Sequence, residues 1–114
     1  MVNSEHTLTY VEVRLSTVYA ILDPFLGTVM YVGVTKQTLE RRLHIHWTQR
    51  GTGKVHSVQF WLDTLKEPPP IIALKVGVSD EDRLAEEWLA IEAHKPPCNI
   101  QKWGRDRALK LRAA

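Results

Sequence analysis

The 114-residue chain predicts a small α/β fold: a three-stranded sheet, antiparallel in its hairpin, flanked by helices. Three observations lead there. Residues 17–22 (Thr-Val-Tyr-Ala-Ile-Leu) and 29–34 (Val-Met-Tyr-Val-Gly-Val) are rich in strand formers and flank a turn, the pattern of a hairpin. The near-continuous apolar run Ile71–Val76 has the length and composition of a further strand. Between and after these lie stretches whose apolar residues recur at helical spacing. With 44% hydrophobic residues the chain can bury one core. It carries no repeat, no low-complexity segment and no internal boundary, so we read one domain over 1–114, with a core of about 16–101 and a basic tail from 102.

The elements follow in order. Residues 7–15 end in the alternating Val11-Glu12-Val13-Arg14-Leu15, an expected extra N-terminal edge strand. In the hairpin, Asp23-Pro24-Phe25-Leu26-Gly27 supplies turn residues. A five-residue loop would pair Leu22 with Thr28 and Tyr19 with Tyr31, and opposed residues project from one face. A loop of even length would put the two rings on opposite faces unless a bulge intervened. A helix follows from about Thr38 to Gln49. Arg50-Gly51-Thr52-Gly53-Lys54 is a basic turn without the second half of a phosphate loop. Residues 55–66 predict a second helix, with Val58, Phe60, Trp61 and Leu65 apolar, stopped by Glu67-Pro68-Pro69-Pro70. Ile71–Val76 should be a buried strand. Ser79-Asp80-Glu81-Asp82 resembles a capping box opening a third helix, which Pro96 and Pro97 stop. The tail predicts a final short helix.

The first helix holds unusual polar chemistry. Leu39, Arg42, Leu43, His46 and Trp47 share one face. Three of the five are apolar, so this face packs inward and takes Arg42 and His46 with it. Arg41 and His44 point to water. An inward arginine is costly unless it is paired or borders a cleft. Two readings stand: a pocket holding an anion, or a snorkelling arginine beside a hydrogen-bonded core histidine. In the third helix Leu84, Trp88 and Ile91 form the expected inward stripe. Glu87 sits beside Ile91 and Glu86 points away, which makes Glu87 the carboxylate placed to border a cleft.

Composition narrows the classes. The single cysteine excludes an internal disulfide and fits a reducing, cytoplasmic compartment. Cys98, in Pro-Pro-Cys-Asn, reads as a small buried hydrophobe. No apolar run reaches membrane-spanning length, so no membrane partner is expected. The net charge of +2 does not by itself call for nucleic acid. The tail is more basic, with Lys102, Arg105, Arg107, Lys110 and Arg112 against Asp106. His44 and His46 lie two apart on a helix and cannot chelate one zinc ion, and no cysteine pair completes such a site.

Tyr19, the Tyr31-Val32-Gly33 triplet, Leu39, Arg42, His46, Glu87 and Asn99 together resemble the signature of the GIY-YIG nuclease superfamily. The resemblance spans about residues 16 to 101. Thr17 stands where that family usually has glycine, and Val18 where it has isoleucine. The resemblance implies the antiparallel polarity of the sheet beyond the hairpin. It also implies a metal-dependent endonuclease acting on the phosphodiester bonds of DNA. Tyr19 would be the general base, Tyr31 would position water or phosphate, and Arg42 would supply a cationic fork. His46 would orient a tyrosine hydroxyl or relay a proton. Glu87 would hold one Mg²⁺ (or Mn²⁺), an ion that keeps much of its hydration. Asn99, Lys54, His56, Lys102 and Arg105 are the candidate nucleic-acid contacts, with bracing the more natural role for Asn99. Specificity would come from this domain, a homodimer or a partner protein. Two other readings are carried: a GIY-YIG-like module that binds nucleic acid or protein without cutting, and an unrelated α/β interaction module in which these side chains are scattered.

Overall fold

The computed structural model describes residues 15–51 and 58–99. Strands β1 (Ser16–Leu22), β2 (Val29–Thr35) and β3 (Ile71–Val78) form one antiparallel sheet in the order β2-β1-β3. Helix α1 (Leu39–Thr48) and the short α2 (Val58–Leu62) follow the hairpin. Helix α3 (Arg83–His94) follows β3, and a single 3₁₀ turn, Pro97–Asn99, closes the described chain. The expected N-terminal strand lies outside the described residues apart from Leu15, which is exposed and not in a strand. The tail helix lies outside them as well.

Side-chain alternation along the central strand builds a core on each face. Tyr19 and Ile21 pack with Val58, Leu62 and Cys98, and α1 adds Leu39, Leu43 and Trp47 to that layer. Val18, Ala20, Val32 and Val78 form the other layer, covered by Ala90 and Ile91 of α3. Three layers thus stack as helices, sheet and helix. Among the described residues no helix is long and apolar enough to cross a membrane.

The hairpin register differs from the direct Tyr19–Tyr31 pairing expected above. Tyr19 faces Gly33, and Ile21 faces Tyr31. The next pair is Leu22 with Val29, so Met30 is the extra residue of a β-bulge. The loop therefore spans six residues, 23–28. An even loop alone would have split the tyrosines between faces, and the bulge restores them to one. Asp23 orders the loop: its Oδ1 accepts the N–H groups of Phe25 (2.8 Å) and Leu26 (3.0 Å), and Gly27 supplies φ 74°.

Four further expectations are corrected. Strand β3 is not buried but lies at one edge of the sheet: Ile72 and Val76 are 41% and 67% exposed. In a three-stranded sheet only one strand is central, and β1 holds that place. Gly77, at φ 69°, marks an irregularity in the pairing of β3, which disrupts an otherwise ready pairing edge. The second helix ends at Leu62, short of the expected 66, and residues 55–57 of the expected span lie outside the described residues. After Leu62 the chain turns, with the N–H groups of Thr64 and Leu65 donating to the carbonyls of Trp61 and Leu62, each at 3.0 Å. In α3, Leu84 is half exposed, and Ala90 and Ile91 make the sheet contact. The Ser79–Asp82 turn closes by an Asp82 N–H bond to Ser79 Oγ (3.3 Å), one turn ahead of the helix that starts at Arg83.

Candidate active site

The central strand carries Tyr19 into the layer beneath α1, where it is fully buried. Its ring lies over Gly33, directly opposite in register. A Cβ built at Gly33 would come within 2.5 Å of the Tyr19 hydroxyl oxygen and 2.9 Å of Tyr31 Cε2. Only glycine leaves both rings in place, which is the physical content of the Tyr31-Val32-Gly33 triplet.

Helix α1 supplies the partners. Thr38 caps it, accepting the Arg41 N–H at 3.2 Å. Spacing of four then brings Arg42 and His46 to one face. His46 Nε2 lies 2.8 Å from the Tyr19 hydroxyl, and Arg42 Nε donates to the same oxygen at 3.2 Å. The Tyr31 ring meets the His46 ring edge-on at 5.4 Å, and its centroid is 6.2 Å from that of Tyr19. His46 is buried, while Arg41 and His44 are exposed as the spacing predicted. Of the two readings of this face, His46 is a hydrogen-bonded core histidine and half-buried Arg42 is paired to a phenol.

Burial governs the protonation of these groups. It raises the Tyr19 pKa above 10.0, against the opposing hydrogen bond and charge of Arg42; the Glu87 charge adds to the rise. Burial likewise drives Tyr31 well above the ordinary phenol range, with the charges of Tyr19 and Glu87 adding to it. Arg42 thus biases Tyr19 toward phenolate, but desolvation outweighs it. Burial, then the Arg42 charge, lowers His46 from 6.5 to about 4, so its ring is neutral at pH 7.

Glu87, half-buried on α3, is close enough for its charge to act on both tyrosines. Tyr19, Tyr31, Arg42 and His46 are therefore in contact as expected, while Glu87, on the helix that covers the other face of the sheet, reaches the tyrosines through its charge. Glu87 offers one hard oxygen donor group. Among the described residues no three His, Cys, Asp or Glu side chains cluster. That donor set fits Mg²⁺ or Mn²⁺ completed by water and phosphate oxygens, and does not fit a closed zinc cage.

Asn99 has a bracing role. Its Oδ1 accepts the Val32 N–H at 2.7 Å and its Nδ2 donates to the Val32 carbonyl at 3.0 Å. The amide thus takes the place of a neighbouring strand on the outer edge of β2, and both its ends are committed to backbone rather than turned to a ligand. Cys98 is buried and its thiol is pushed up to about 11 by desolvation, as befits a packing residue. Lys54, His56, Lys102 and Arg105 lie outside the described residues.

One neighbour is invisible to sequence periodicity. The Gln59 side-chain nitrogen lies 3.4 Å from His46 Nδ1. Nothing in the spacing along either helix links residues 46 and 59, and only the docking of α2 on α1 joins them. No family model, no curated protein and no solved structure matches this chain.

Proposed function

We propose that the protein is a metal-dependent endonuclease of the GIY-YIG type, hydrolysing phosphodiester bonds of DNA. The observation that carries this reading is the convergence on one phenol oxygen of His46 Nε2 and Arg42 Nε, with Tyr31 and Glu87 alongside.

Hydrolysis needs a water whose proton has an acceptor, and positive charge where the pentacovalent phosphorus gathers negative charge. Tyr19 first gives its phenol proton to solvent, and as the phenolate its oxygen accepts the proton of the attacking water; the new bond runs from that water to phosphorus, and the 3′ oxygen leaves with the bonding pair. Arg42, already oriented by its bond to Tyr19, faces the charge that builds on the phosphate oxygens. Tyr31 positions the water or the phosphate. A divalent ion held by Glu87 supplies, when bound, polarisation of the phosphate and stabilisation of the leaving oxygen.

Incubation of the full chain with plasmid, linear, flap and junction DNA, with Mg²⁺ and with chelator, tests this. Mg²⁺-dependent nicked or linear product is expected; intact DNA across the panel rejects it. A second reading, binding of nucleic acid without cutting, draws on the burial that holds both tyrosines protonated. Shifted but uncut DNA in the same panel would select it.

A further inference from the structure

We propose that Gln59 is a positioning residue that sets the tautomer of His46, holding the ring proton on Nε2 so that Tyr19 receives two donated hydrogen bonds. The consequence for turnover rests on the endonuclease reading; the tautomer itself does not.

Counting protons fixes the direction of each bond. His46 is neutral at pH 7, so one ring nitrogen carries a proton and the other accepts. The Gln59 nitrogen faces Nδ1 at 3.4 Å, and an amide NH₂ group only donates. Nδ1 is therefore the acceptor and the proton lies on Nε2, aimed at the Tyr19 oxygen 2.8 Å away. Arg42 Nε also only donates to that oxygen. Both acceptor sites of the hydroxyl are then filled, and its own proton turns away from His46 and Arg42 toward Tyr31, whose side chain also hydrogen-bonds Tyr19.

The opposite tautomer reverses the sense of the bond. Tyr19 would give its proton to Nε2, and a phenolate at Tyr19 would face a lone pair. With Nε2–H in place, the phenolate meets two donors and is favoured as it forms. The backbone around Gln59 holds it opposite the imidazole: its carbonyl accepts the N–H of Gly51 at 3.0 Å and of Asp63 at 3.2 Å. Gly51, at φ 78°, makes the turn that closes the end of α1 onto α2.

Long-range proton–nitrogen correlation spectra of the ¹⁵N-histidine-labelled full chain at pH 7 report the tautomer without any substrate. In the wild type the expected His46 pattern is a protonated Nε2 and an unprotonated Nδ1. In Gln59→Glu, whose carboxylate only accepts, Nδ1 should gain a proton. In Gln59→Leu, which offers no partner, the two nitrogen shifts should move toward each other as tautomers exchange. A protonated Nδ1 in the wild type overturns the proposal, as does a pure Nε2–H pattern in the folded Leu variant. With DNA, Gln59→Leu should lower kcat by about tenfold to a hundredfold with KM nearly unchanged; an unchanged kcat removes the positioning role. A wild type that never cuts DNA would sink the endonuclease reading and leave the tautomer result standing.

Discussion

At the scale of single residues, protonation governs the site. His46 has a folded pKa lowered from 6.5 to about 4. A group held below its unfolded value stabilises the fold above that value and loses the contribution as pH falls toward the folded one. By pH 4.5 the loss should reach about 2–3 kcal/mol. Urea unfolding at pH 7 and 4.5 checks this: the wild type should show the loss and His46→Gln should show it much reduced. Tyr19 has the opposite sign, its pKa raised by burial. If its phenolate is the base, the cleavage rate should rise about tenfold per pH unit between 7 and 9; a flat profile over that window would remove Tyr19 from the role. The inward face of Arg42 and His46 was legible in the sequence from spacing alone. The net direction of the Tyr19 shift was not, because it is a contest between Arg42 and desolvation that only burial in three dimensions decides.

At the scale of elements, the hairpin positions the chemistry. The bulge at Met30 and the close approach at Gly33 hold Tyr19 and Tyr31 on one face. Gly33→Ala should destabilise by about 1–3 kcal/mol through overpacking. It should also displace the Tyr19 hydroxyl, so cleavage should fall further than stability. Thermal unfolding beside a cleavage assay separates the two effects. On the other side of β2, Asn99→Asp removes the donor to the buried Val32 carbonyl. A loss of about 1–3 kcal/mol is expected from an acceptor left unpaired, measurable by urea titration. Strand-forming composition revealed the hairpin, and the odd-loop-or-bulge condition followed from side-chain alternation. Which of the two applied could not be read, since a bulge adds one residue without a mark of its own in Val29-Met30-Tyr31. The apolar run Ile71–Val76 showed a strand but not its edge position; periodicity cannot tell a central strand from an outer one when both are apolar.

At the scale of the whole molecule, the sheet acts as a plate with helices on both faces. The phenol–imidazole–guanidinium cluster lies in the layer beneath α1, and α3 brings Glu87 within electrostatic reach from its own side of the fold. The fold class was legible because hairpin, helices and third strand each carry their own local pattern. The meeting of Tyr19, Tyr31, Arg42 and His46 was suggested only by their resemblance to a known signature, since no local pattern says that residues 19, 31, 42 and 46 share a space. Gln59 was legible from neither a local pattern nor that signature, because only the docking of α2 on α1 brings it to His46. The most direct test compares Mg²⁺-dependent DNA cleavage by the wild type with that of Tyr19→Phe, Arg42→Ala and Glu87→Gln, each first shown to be folded. The proposed mechanism predicts product from the wild type and none from Arg42→Ala or Glu87→Gln, with Tyr19→Phe reduced by orders of magnitude. Cleavage by the three folded variants at the wild-type rate would contradict it.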